Sequence, residues 1–203
     1  MADITVFPAP DSTTVRLTRA WRALEPRRRG LVIGGVAIAV GIALAAARQV
    51  PVVSAVAIGC VGVLAAAAAV VDVHEHRIPN RLLWAAMAVV AVAAAAAGWR
   101  TVGDVLVGLV IGSVPLFVVR YDKGLGLGDV KFAAVLGAAG GLVHPGVGLV
   151  AVWAAALASG LFALRTDRMR LALAPWLWAG FVAACAAGLV MVQLGGSSWP
   201  ARF

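Results

Sequence analysis

Seven long apolar runs, joined by short polar connections, limit what this sequence can fold into. About 20 apolar residues cross a bilayer as a helix, and a backbone surrounded by lipid must satisfy its own hydrogen bonds. Hydrophobic residues make up 63% of the chain, well above the roughly 45–50% of a soluble domain. We therefore predict an all-α, polytopic membrane helix bundle of six to seven transmembrane helices, about seven in all. The runs lie at residues 31–47, 51–71, 82–98, 103–119, 130–143, 146–164 and 172–194.

The chain divides into three parts by composition. Residues 1–29 form a polar, arginine-rich stretch, which predicts a cytosolic tail with a basic segment around Trp21 on anionic membrane lipid. A signal peptide beginning at Arg27 is the alternative. Residues 30–196 form the membrane-embedded domain, and 197–203 a short C-terminal tail. Within the domain, the fifth run is the shortest, so it is either a full span or a broken or tilted helix.

The distribution of basic residues predicts the orientation of the helices. Cytosolic connections of membrane proteins are enriched in Lys and Arg. With residues 1–29 in the cytosol, 14 of the 17 Lys and Arg residues fall on the inner side. The net charge of +8 therefore reflects topology and does not indicate nucleic-acid binding. This orientation places the connections at 72–81 and 120–129 on the cytosolic side.

Two acids stand at the ends of apolar runs, and both belong to those cytosolic connections. Asp72 closes the second run and Asp129 opens the fifth. If the two helices pack together, like-charge repulsion makes the carboxyls share a proton, so that one acts as a base and the other as an acid. The alternative is that each Asp is an exposed helix-end residue, with Asp129 favoured near the positive end of a helix dipole.

Glycines surround the second acid and recur in two apolar runs. Gly124, Gly126 and Gly128 alternate before Asp129, which would let an extended peptide approach the acid or would form a flexible turn. Pairs of glycines four residues apart give small faces on which helices pack closely. These pairs are Gly108 with Gly112 and Gly137 with Gly141.

A histidine pair follows the first acid. His74, Glu75 and His76 suggest a metal site at first sight. The pattern is not H-E-x-x-H, and adjacent residues of a short connection are typically solvated, so we predict no metal here. The imidazoles could still change the local field near neutral pH.

Three motifs together resemble a known family. They are GLGLGDVK at 124–131, RIPN at 77–80 shortly after Asp72, and LALAPWLWAG at 171–180. In this order and in an all-helical membrane chain, they are similar to the prepilin peptidases, the type IV leader peptidases of the GxGD aspartic protease class. The resemblance covers roughly residues 55–190.

The resemblance implies roles for individual residues. Asp72 and Asp129 would be the catalytic pair, acting on a water molecule without a metal or another cofactor. The active-site loop would be shaped by Gly126 and Gly128, with Lys131 as the family's basic residue after the aspartate. The remaining motif residues would be structural: Arg77, Ile78, Pro79 and Asn80 around the turn that returns the chain to the membrane, and Pro175 at the start of a late helix.

The resemblance also implies a function. The substrates would be pilin-like precursors, cut after a short basic leader at the cytosolic face of the inner membrane. The cysteine-containing loop of bifunctional relatives has no counterpart here, so we expect peptidase activity without N-methyltransferase activity. Two other functions remain open: a proton-coupled transporter with Asp72 and Asp129 as proton carriers, and an inactive membrane assembly module with the same fold.

Overall fold

The computed structural model describes residues 35, 50–123, 126–166 and 172–194, and within these residues the chain is helical and contains no strand. Six helices follow one another in the described part: α1 (Val52–Glu75), α2 (Asn80–Ala97), α3 (Trp99–Lys123), α4 (Leu127–Gly141), α5 (Gly146–Thr166) and α6 (Ala174–Leu194). The all-α prediction is confirmed, and six of the seven predicted runs correspond to these helices. The first run, the N-terminal tail and the C-terminal tail lie outside the described residues, Gly35 apart.

Three helices are long and apolar enough to cross a membrane. They are α1, α2 and the part of α3 from Trp99 to Arg120. The mean hydropathy of their most apolar windows is 2.4, 1.6 and 2.3. Shorter apolar stretches lie in α5, at Gly146–Phe162, and in α6, at Ala174–Gly188. The chain is therefore an integral membrane protein by the length and composition of its helices.

Tight connections join the first three helices. His76 ends α1 in the left-handed conformation, with φ 48°, and its backbone N–H donates to the carbonyl oxygen of Asp72 at 2.9 Å. Pro79 then precedes α2, and Asn80, expected in the turn, is the first residue of that helix. Gly98, with φ 109°, lets α2 pass directly into α3 because a residue without a side chain adopts this backbone conformation at little cost.

Helix α4 lies at the centre of the bundle. It packs against each of the other five described helices, and almost every residue from Val130 to Gly141 is buried. Its 15 residues extend about 22 Å at about 1.5 Å per residue, less than the roughly 30 Å of a hydrocarbon core. The fifth apolar run is thus an unbroken but short helix, surrounded by protein more than by lipid.

Glycine lets the backbones of α3, α4 and α5 touch. A Cβ atom added to Gly112 would lie 2.9 Å from the carbonyl oxygen of Ala133, and one added to Gly148 would lie 2.7 Å from Cα of Gly137. Added Cβ atoms on Gly108 and Gly141 would overlap backbone atoms of the facing helix. The packing role predicted for the two glycine pairs is confirmed. Since Gly141 meets Asp104 while Gly112 meets Ala133, α3 and α4 run antiparallel.

This contact predicts different results for two glycines of α3. Gly108→Ala should destabilise the protein by about 2 kcal/mol or more, because a methyl group has no space between the two backbones. Gly103→Ala should be neutral or stabilising by about 0.5–1 kcal/mol, because no atom lies within 4 Å of the added Cβ and alanine favours a helix. Unfolding of the two variants in detergent, followed by circular dichroism, would measure the difference. Equal stability of the two variants would contradict the close packing.

Candidate active site

Asp72 lies in the last turn of α1 and is buried, with 6% of its surface exposed. Its carboxylate oxygen Oδ2 accepts a hydrogen bond from the backbone N–H of Ala174, the first residue of α6, at 3.3 Å. The carbonyl end of its own helix disfavours a negative charge, whereas the amino end of another helix favours one. The contact with α6 therefore offsets part of the cost of burying this carboxylate.

The start of α6 leaves one amide available for Asp72. The carbonyl oxygen of Leu173 accepts the N–H groups of Trp176 and Leu177, both at 3.0 Å. Pro175 has no N–H group and lies in the first turn, where helical amides have no partner inside the helix. The Ala174 amide is also such a first-turn group, and it is fully buried. The Asp72 carboxylate of α1 is the hydrogen-bond acceptor for this amide.

Asp129 lies in the first turn of α4, ahead of the apolar run that begins at Val130. Gly126 precedes the helix, and its carbonyl oxygen accepts the N–H of Asp129 at 3.2 Å. The side chain is partly buried. Burial, and then the charge of Asp72, raise the pKa of Asp129 to about 6. This carboxyl therefore holds its proton at pH values where an ordinary aspartate has lost it.

The fold brings the two predicted acids to the same end of the bundle. Helices α1 and α4 pack against each other, and the two carboxyls are close enough for the charge of Asp72 to act on Asp129. One carboxyl is oriented by the amino end of α6 and the other lies at the amino end of α4. Burial raises the pKa of Asp72 as well, while the Ala174 hydrogen bond and then the charge of His76 oppose that rise. Two carboxyls at one site can provide a base and an acid when their surroundings differ in this way.

The two glycines of the predicted active-site loop differ in their surroundings. A Cβ atom on Gly126 would lie 3.1 Å from Oδ2 of Asp129, closer than carbon and oxygen normally approach. One on Gly128 would lie 3.6 Å from Cβ of Ile78, an ordinary contact. Gly126 therefore provides space for the carboxylate, while Gly128 packs on the connection between α1 and α2. Gly124 lies outside the described residues.

The other predicted residues are distributed around this end of the bundle. Ile78 is half-buried and packs against the hydrophobic core. Its side chain also packs beside Gly128, so the RIPN segment lies next to the start of α4. Pro79 is also half-buried. The remaining polar residues of the motifs and the histidine pair are exposed: Arg77, Asn80, Lys131, His74, Glu75 and His76. Lys131 thus lies on the outer face of α4, although it follows Asp129 by only two residues.

Sequence reasoning missed two groups of this site. One is the Ala174 amide, because a backbone donor has no residue type that marks it, although the proline after it signals a helix start. The other is Trp178, whose Nε1–H donates to the carbonyl oxygen of Gly62 in α1 at 3.0 Å. Tryptophans near a membrane interface commonly form a belt facing lipid. The side chain of Trp178 instead connects two helices.

Comparison with known proteins identifies a family for this chain. The model of the type IV leader peptidase family matches residues 57–164, more than half of the chain, and this range contains both acids. The chain belongs to the type IV leader peptidase family. It is thus a membrane protein of the prepilin peptidase family, whose members are proteases of the aspartic type. No curated protein and no solved structure matches the chain.

The surroundings of the two loop glycines predict unequal effects on a leader peptidase. With Asp129 in the catalytic pair, as the resemblance implies, Gly126→Ala should lower the cleavage rate about tenfold, because the methyl group displaces the Asp129 carboxylate by a few tenths of an ångström and catalysis depends on precise placement. Gly128→Ala should change the rate less than about twofold, since its methyl group makes an ordinary contact. Precursor cleavage at matched enzyme concentrations measures both. A larger loss for Gly128→Ala would contradict the arrangement.

Proposed function

We propose that this chain is an aspartic endopeptidase that removes the leader peptide from type IV pilin-like precursors at the cytosolic face of the inner membrane. Asp72 and Asp129 are the catalytic pair. The observation that carries the proposal is that Asp72 and Asp129, on two helices that pack against each other, lie at the same end of an apolar bundle. The family adds that the reaction is proteolysis of the aspartic type.

The chemistry needs one ionised and one protonated carboxyl. The ionised carboxyl takes a proton from water as the water oxygen attacks the carbonyl carbon of the scissile peptide, and the other gives its proton to the carbonyl oxygen. The tetrahedral intermediate then collapses. The carboxyl that took the proton from water gives it to the nitrogen, the carbon–nitrogen bond breaks, and a hydroxyl of the intermediate returns its proton to the other carboxylate. The leader leaves with a new carboxylic acid and the mature protein keeps a new amine. The two carboxyls finish the cycle with one proton between them.

The cytosolic location of the site follows from charge. The connection between α1 and α2 carries Arg77, and the starts of α2 and α4 carry Arg81 and Lys131. The end of α3 carries Arg120. The other end of these helices has Arg100 as its basic residue between residues 82 and 119. Because basic residues remain in the cytosol, the end that carries Asp72 and Asp129 faces the cytosol.

The membrane position of the acids favours proteolysis over proton-coupled transport. A transporter places its ionisable groups near the middle of the bilayer, between two structural repeats. Here Asp72 lies in the last turn of α1 and Asp129 in the first turn of α4. Water and an extended precursor segment reach this end from the cytosol. Peptidase activity without N-methyltransferase activity remains our prediction for the domain, which we place at residues 30–196.

Replacement of each acid tests the proposal. Asp72→Asn and Asp129→Asn should each lower cleavage of co-expressed pilin-like precursors by at least about a thousandfold, because the asparagine amide can neither accept nor give the required proton. Asp104→Asn is the matched control, since Asp104 lies at the opposite end of α3. Gel shift and N-terminal sequencing, at equal amounts of enzyme in the membrane, measure cleavage. Cleavage by either dyad variant at the rate of the Asp104→Asn control would refute the proposal.

A further inference from the structure

The hydrogen bond between Ala174 and Asp72 joins residues 102 positions apart in the chain. It comes from the first turn of α6, where amides have no partner within the helix. A donor N–H at the amino end of a helix stabilises the ionised form of a carboxyl relative to its neutral form. Within the described residues, α6 thus acts on one acid of the pair through a specific contact.

Asp129 is in a different situation. Burial is the larger cause that favours its protonated form, and the negative charge of Asp72 is the second. The charge of Asp72 can raise the pKa of Asp129 only if Asp72 loses its proton first. Burial raises the pKa of Asp72 as well, but there the Ala174 hydrogen bond and then the charge of His76 oppose the rise. The two acids therefore have unequal surroundings.

Trp178 fixes the position of α6 against α1. Its indole N–H donates to Gly62 of α1 at 3.0 Å, and it lies one helical turn after Ala174 on α6. A Cβ atom added to Gly35 would overlap the indole ring, so the backbone at this residue rests on Trp178. The side chain is held by both contacts, and the first turn of α6 is held with it.

We propose that α6 is the positioning element of the catalytic pair: the Ala174 amide keeps Asp72 ionised as the base, the proton stays on Asp129 as the acid, and Trp178 sets the amide in place. This inference rests on the aspartic mechanism proposed above. It assigns separate roles to the two acids and adds Trp178 as a positioning residue. Trp178 itself does not touch the reacting atoms.

The pH dependence of kcat/KM tests the assignment, because its acid limb reports protonation of the base in the free enzyme. Trp178→Phe retains an aromatic ring but removes the donor to Gly62. Loss of the Ala174 contact should move the acid limb to higher pH by about one unit, the size expected for a hydrogen bond to a charged group. Trp176→Phe, two residues earlier in α6, is the matched control and should keep the wild-type limb.

A second pair of variants acts on the amide directly. Ala174→Pro removes the N–H group at a helix position that suits proline, and Ala174→Gly retains it. The acid limb should move for proline and stay for glycine, with KM unchanged in both. His76, whose charge also acts on Asp72, and Asp129 remain in place in every variant. Because Ala174 is fully buried, folding is checked by gel filtration, and the Trp178→Phe comparison decides if the proline variant does not fold.

The outcomes separate this inference from the proposed function. If Asp72→Asn or Asp129→Asn still cleaves precursors, the aspartic mechanism itself fails. If both are inactive while folded Ala174→Pro and Trp178→Phe keep the wild-type acid limb, the mechanism stands and the positioning role of α6 is refuted. A limb that shifts in Ala174→Pro but not in Trp178→Phe refutes the role of Trp178 alone. A shifted limb in Trp178→Phe, with an unshifted one in Trp176→Phe, supports the role.

Discussion

The rest of this structure depends on one constraint: the backbones of α3 and α4 touch each other at glycine residues. Gly108 and Gly112 on one helix face Gly137 and Gly141 on the other, and Gly148 of α5 reaches the same place. In a membrane the apolar side chains gain little by leaving lipid, so helices associate through van der Waals packing at small residues. This packing allows a helix of 15 residues to lie among five others. The helix that carries Asp129 is thereby held in a fixed position.

The fixed position of α4 sets the surroundings of the two acids, and these surroundings control how tightly each carboxyl holds a proton. Buried carboxyls are costly, and here the cost is offset by different means at each one. Asp72 receives the Ala174 amide from α6, whereas Asp129 lies at the start of its own helix and holds a proton more tightly than usual. Burial raises the pKa of both carboxyls, and at Asp72 a hydrogen bond from another helix opposes that rise, so their surroundings make two identical side chains unequal. This inequality is what an acid and a base acting together on one water molecule require.

Much of this arrangement could be predicted from the sequence, and the missing parts have a physical reason. The apolar runs predicted the six described helices because the length of a span is set by the bilayer. The glycine spacing predicted faces for close helix packing on α3 and α4 but not that these faces meet. The resemblance to the leader peptidases implied that Asp72 and Asp129 form a pair. Side-chain identity cannot reveal that a backbone amide at residue 174 supplies a hydrogen bond, or that Trp178 packs inward. Both depend on how α6 lies against α1, a contact between distant parts of the chain.

The most direct test of the central claim is whether residues 72 and 129 are neighbours in the membrane. Asp72→Cys and Asp129→Cys would be combined in a chain that carries Cys60→Ser and Cys185→Ala, and treated with a short bifunctional thiol reagent. Mass spectrometry then counts linkers and free thiols. We expect one linker joining both cysteines, and no joining in the control chain that combines Asp72→Cys with Asp104→Cys. Two separately attached linkers in the 72 and 129 pair, with both positions reactive, would contradict the arrangement.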